Sequence, residues 1–181
     1  MSPLSWIALS YRLPSEPSRL RLAIWRRLKR IGALLLHDSV WVLPIDGRTR
    51  EAFEWLAEEI EEQDGTALIW EAQSLNVKQD QGIMGRFRTE ADVRYASLAE
   101  SALRLQRLAQ RRRVRSGQVH QIRRQLLGLE RALRLERRRD YFRAPGRAAA
   151  EEAVRQATAD LDRRLRPAAT FKEGKTHALG H

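Results

Sequence analysis

Apolar positions alternate with polar ones along the first seventy residues in short stretches, then switch to a sustained helical spacing that lasts almost to the C-terminus. The β-branched and aromatic residues in the run Ser5 to Tyr11 suit a strand, and Pro14 and Pro17 end it. Leu20, Ile24, Leu28 and Ile31 then fall at helical spacing, with Pro17 and Ser18 at the start and Gly32 just past the end. Ala33 to Leu36 and Val40 to Leu43 are two apolar runs separated by His37, Asp38 and Ser39, the length and chemistry of a hairpin. Thr49 is the expected N-cap of a second helix that aligns Phe53, Leu56, Ala57 and Ile60 and stops at Asp64 and Gly65. Thr66 to Ala72 supplies a fourth strand. The order βαββαβ predicts a ferredoxin-like module, two helices over one face of a four-stranded antiparallel sheet.

From Met84 onward no strand pattern remains. Ala91, Tyr95, Leu98, Ala102, Leu105 and Ala109 follow heptad spacing, and after the breaker Ser116 and Gly117 the pattern resumes with Val119, Ile122, Leu126, Leu129 and Leu133. Two long helices folded back as an antiparallel hairpin would bury both seams. A weaker third helix runs from Gly146 to Leu165 after Ala144, Pro145 and Gly146. The expected class is therefore α+β: a ferredoxin-like domain over residues 1–76, a basic helical extension over 84–166 and a flexible tail over 167–181.

Charge sharpens the division. Residues 1–83 carry a net −2 and residues 84–181 a net +13, so the whole excess of +11 lies in the helical half, while all five Trp lie in the first. With no Cys the chain has no disulfide, thiolate metal site or cysteine nucleophile, and a reducing compartment is expected. The apolar opening segment is too short for a signal-peptide core or a membrane span, so the expectation is a cytoplasmic protein with no membrane association.

The basic half holds the candidate chemistry. Arg111, Arg112, Arg113 and Arg115 cluster at the expected hairpin tip, Arg123 and Arg124 follow, and Arg137, Arg138 and Arg139 form a second group. Like charges held close repel, so such clusters are easiest to understand as contacts to a polyanion, with nucleic acid the expected partner. The bland alternative is a solvated helix face or ion pairs with Glu130, Glu136 and Asp140. Arg12, Arg19 and Arg21, near the start of the first helix, are a weaker candidate anion site. Homodimerisation is expected from the heptad seams and sheet edges.

No catalytic residue, metal site or cofactor is assigned. His37 beside Asp38 has no nucleophile, His177 and His181 lack a third ligand, and Gly174, Lys175 and Thr176 lack the earlier glycine of a phosphate-binding loop. A metal-dependent nuclease of the ferredoxin-like type is a third possibility, but the end of the first strand reads Leu9, Ser10, Tyr11, with no carboxylate to hold a metal.

The stretch ALSYRLPSEPSRLRLAIWRRLKRIGALLLHDSVWVLP, from Ala8 to Pro44, resembles the N-terminal domain of the chromate-resistance regulator ChrB. AFEWLAEEI with the following LIWEA, and RDYFRAPGRAAAEEAV from Arg139 to Val154, are similar to the rest of that domain, so the resemblance runs over residues 5–165. It implies a non-enzymatic, cytoplasmic, chromate-responsive transcriptional regulator that binds DNA and controls expression of a chromate efflux transporter. Full-length family members continue into a second domain associated with sensing the oxyanion, and this chain ends at His181, so chromate or a separate sensor protein is an expected partner. The competing reading is a non-catalytic interaction module whose basic hairpin docks on a partner protein.

Overall fold

A computed structural model describes residues 4–14, 18–111 and 115–165. The elements run β1 (Ser5–Arg12), α1 (Ser18–Ile31), β2 (Leu34–His37), β3 (Val40–Pro44), α2 (Gly47–Glu61), β4 (Thr66–Gln73), α3 (Val77–Gln110), α4 (Ser116–Arg139) and α5 (Arg147–Leu165). The sheet order is β2-β3-β1-β4, with every neighbouring pair antiparallel. This is the ferredoxin-like arrangement that the order of elements predicted, followed by helices alone.

Register explains why the central strand is buried on both sides. Ile7 and Leu9 pair with Leu43 and Trp41 and share their face, which α1 and α2 cover with Ile24, Leu28, Phe53, Leu56 and Ile60. Trp6 and Ala8 face the other way with Val42, and there the first turns of α3 take the place of solvent: Trp6 stacks on Phe87 with ring centroids 6.0 Å apart. The fully buried side chains of this core, Trp41 and Phe53 among them, each stabilise the fold by roughly 1.5–3 kcal/mol. On the edge strand β4 the same face stays open, with Leu68 and Trp70 59% and 49% exposed.

Three local expectations are corrected. The N-cap of α2 is Asp46, not Thr49: the Asp46 side chain accepts from the Thr49 amide at 2.7 Å, and the Thr49 hydroxyl accepts from the Asp46 amide at 2.8 Å. Thr49 is thus the third residue of a capping box. Second, α3 begins at Val77 rather than near Met84, because Asn76 caps it by accepting from the Gln79 amide at 3.0 Å, and the helix runs through Gly82 and Gly85. Third, Ser116 and Gly117 open α4 instead of separating two helices.

The helical part is a three-helix arrangement in which α5 is a full member. Ala102, Leu105 and Ala109 of α3, Ile122 and Leu126 of α4, and Ala153, Val154, Ala157 and Leu161 of α5 form one buried cluster. Helix α4 returns antiparallel to α3, and α5 runs parallel to it, as the pairs Asp92 with Gly146 and Gln106 with Asp160 show. Arg164 donates to the carbonyls of Ala109 and Arg111, both at 2.8 Å, and so satisfies acceptors that the end of α3 leaves open.

The two parts are joined by the segment that follows α4. Arg139 donates to the Lys29 carbonyl at 3.0 Å, the Tyr141 hydroxyl donates to the Ile31 carbonyl at 2.7 Å, and Phe142 packs on Trp6 and Phe87. Asp140 accepts from the Tyr95 hydroxyl at 3.2 Å and from the Ala144 amide, while the Gly146 amide donates to Asp92 at 2.7 Å. Burial beside the Asp140 carboxylate pushes the Tyr95 phenol well above its ordinary value, so it stays protonated and donating. A second strut is the Trp6 indole, which donates to Asp80 of α3 at 2.8 Å inside the protein.

Candidate nucleic-acid interface

The solvent face of α4 carries a basic stripe, with exposed Leu127 between its two ends. At 100° per residue, Arg123, Arg124, Arg131, Arg134 and Arg138 fall within a sector of roughly 100°, opposite the buried Ile122, Leu126 and Glu136. The stripe is about 22 Å long at 1.5 Å per residue. All five side chains are exposed, and none forms an ion pair among the described residues. The two carboxylates of α4 are turned elsewhere: Glu130 accepts from Thr158 of α5 at 3.3 Å, and Glu136 is 1% exposed.

The expected arginines divide by environment. Arg111 caps α3 and Arg115 caps α4, both exposed at the end of the hairpin, whereas Arg112 and Arg113 lie outside the described residues. Arg123, Arg124 and Arg138 belong to the stripe. Arg137 sits at its flank and pairs with Glu151 of α5 at 3.3 Å. Arg139 is turned inward, where its guanidinium meets Glu136 and the Lys29 carbonyl. Arg94 of α3 holds the other oxygen of Glu136 at 2.7 Å, so two cations neutralise one buried carboxylate between helices.

Two shallow recesses flank Arg138 and extend the basic surface. One, of about 330 Å³, is lined by Arg134, Arg137, Arg138 and Arg147. The other, of about 220 Å³, brings Arg30 at the end of α1 and Arg48 at the start of α2 beside Arg138 and Tyr141. Arg48 donates to the Arg138 carbonyl at 3.1 Å and lies over the Tyr141 ring, 5.3 Å from its centroid. The positive surface therefore crosses from the helical part onto the ferredoxin-like part.

Arg131, Arg134, Arg147, Arg30 and Arg48 were missed by a reading that looked for runs of adjacent arginines. The usable signal was the spacing of three and four between Arg124, Arg131, Arg134 and Arg138, with the step between the first two bridged by exposed Leu127. The weaker set Arg12, Arg19 and Arg21 spans the end of β1 and the first turn of α1. Arg12 borders a recess of about 580 Å³ with Glu61 and Tyr11, and Arg19 and Arg21 lie exposed on the first turn of α1.

The basic first helix and the acidic second one meet within the chain, where Arg27 of α1 pairs with Glu59 of α2. Among the described residues no group of three or more His, Asp or Glu side chains is placed to hold a metal, and no helix is long and apolar enough to cross a membrane.

The model of the N-terminal part of protein ChrB matches residues 21–166, about four fifths of the chain. The chain belongs to the ChrB N-terminal family. Both the α4 stripe and the joint at residues 139–146 lie inside the matched region. A curated relative, Protein ChrB of Cupriavidus metallidurans, is 29% identical over 76 residues, which are 42% of this chain and 24% of that protein. The matched part is thus about a quarter of that ChrB's length. No solved structure matches. Within the ChrB N-terminal fold as this chain shows it, the RDYFRAPG signature acts as the clamp between sheet and helices.

Proposed function

We propose that this chain is a DNA-binding transcriptional regulator, or the DNA-binding half of one, acting in chromate resistance and controlling expression of a chromate efflux transporter. The observation that carries the reading is the face of α4. Five guanidiniums in one line with no carboxylate among them serve no folding purpose, since neighbouring like charges repel even in water. Laid along a duplex, they neutralise phosphates and release condensed counterions. Membership of the ChrB N-terminal family supports the regulatory context.

In this reading the protein is cytoplasmic and not an enzyme. It acts as a homodimer, for which the exposed Leu68 and Trp70 on the open edge strand β4 are a candidate contact. The test is binding of the purified chain to its own upstream DNA and to a scrambled duplex at two salt concentrations, with and without chromate. Specific binding released by chromate makes the chain a complete sensor and regulator, and specific binding indifferent to chromate makes it the DNA-binding half of a split system. Absence of binding at low salt sinks the reading.

A second reading, a protein-interaction module, rests on a groove of about 480 Å³ between α3 and α4, lined by Leu105, Leu108 and Leu129 with Arg104 and Gln125 at its border. A stoichiometric complex with a partner protein that leaves DNA unbound would favour it.

A further inference from the structure

We infer that the recess at the junction of α4 and α5 is a discrete binding site for one tetrahedral oxyanion, namely a phosphate group. Its walls are the side chains of Arg134, Arg137, Arg138 and Arg147. The first three stand at i, i+3 and i+4 on α4, and therefore on one side of the helix. The fourth is the first residue of α5.

Two of these groups share one carboxylate oxygen. Arg137 and Arg147 reach the same oxygen of Glu151 through their Nε atoms, at 3.3 and 3.0 Å. One carboxylate oxygen thus fixes two guanidiniums from different helices side by side, while each leaves its Nη groups without an ion-pair partner among the described residues. That hydrogen bond also holds the Arg147 guanidinium more firmly protonated. Arg134 and Arg138 add two further cations with no acidic partner among the described residues. The other carboxylate near Arg147, Asp140, is directed at the Tyr95 hydroxyl and the Ala144 amide. Four cations against Glu151 leave a net +3, and the first-turn amides of α5 add the positive end of a helix dipole.

The lining also defines the ligand class. Planar guanidiniums with free Nη edges match the paired oxygens of a phosphate, and no aromatic residue lines the recess to stack on a base. The ligand is consequently a phosphate group by itself, either a free inorganic anion or a backbone phosphodiester of a nucleic acid lying along α4. The site stands on its own geometry, and only the second source rests on the function proposed above.

The arginine Nε–H resonances of the full chain, followed by NMR, test this with sodium phosphate as the probe and sodium chloride holding the ionic strength constant. Saturable shifts of the Arg137 and Arg147 resonances with phosphate, absent with chloride alone, are expected. Arg134→Gln, which breaks no ion pair, should weaken the response several-fold, and removing twice that charge elsewhere with Arg26→Gln and Arg107→Gln together should leave it intact.

A short duplex added in place of phosphate separates the sources. The same resonances moving with both probes supports the site and assigns it to backbone phosphodiesters. Movement with phosphate but not with duplex supports a free-anion site, and if the chain also fails to bind DNA the regulatory reading falls while the site stands. Resonances unmoved by phosphate, or moved equally in the wild type and Arg134→Gln, overturn the inference.

Discussion

A β-carbon built on Gly32 would lie 2.6 Å from the β-carbon of Arg139, so the end of α1 and the end of α4 touch through the absence of a side chain. Gly32 also has φ +83°, the left-handed conformation that closes a helix. Backbone shape and contact therefore demand glycine at one point, where the ferredoxin-like part meets the helical part.

Gly32→Ala should accordingly destabilise the protein by about 1–3 kcal/mol through strain and displacement of Arg139. Urea unfolding of the variant, with tryptophan fluorescence reporting the sheet and circular dichroism the helices, measures it. Unchanged stability would mean that the contact relaxes at no cost.

Glu136 is the buried centre of the same joint. Glu136→Ala leaves Arg139 without its carboxylate and Arg94 with Glu90 alone, at 3.4 Å, and because both guanidiniums keep partial access to water the expected loss is about 2–4 kcal/mol. Glu136→Gln, which keeps the shape and one of the two acceptor oxygens but turns an NH2 donor toward the other arginine, should fall between wild type and Ala in a denaturant titration.

Asp80 makes stability depend on pH. Hydrogen bonds from Ser74, the Leu4 amide and the Trp6 indole hold its carboxyl below the ordinary aspartate value of about 3.9. The charged form is favoured by folding, so its stabilisation is complete above that ordinary value and is lost as pH falls through the lower folded value. Comparing wild type with Asp80→Asn in urea at pH 7 and pH 3 should show a difference that shrinks on the acid side. A difference that grows towards acid would refute the assignment.

DNA affinity should separate the stripe from the buried arginine. Each charge removed from Arg124, Arg131 and Arg134 is expected to lower the slope of log affinity against log salt by about one, uniformly across sequences. Arg139→Lys, at a guanidinium spent on Glu136, should leave that slope unchanged while lowering the melting temperature. Fluorescence anisotropy over a salt series reads the first effect and thermal unfolding the second.

The apolar run within Ser5 to Tyr11, the helical spacing of Leu20 to Ile31 and the hairpin around Asp38 are local properties, set by side-chain type, period and turn chemistry. They were enough to yield the ferredoxin-like order. The heptads from Ala91 onward identified the helices in the same way. The sequence by itself also determined the charge asymmetry, since that depends on composition alone. Which arginines face solvent was another matter. Arg138 and Arg139 are adjacent in the sequence, yet one lies on the open stripe and the other ends on Glu136 and the Lys29 carbonyl. The first turns of α3 fell between the two expected domains because their partner, Trp6, is 74 residues distant at the Asp80 contact. Tertiary structure decided these points: an ion pair or a covered face depends on which distant group arrives opposite, and periodicity within one segment records only the face, not what meets it.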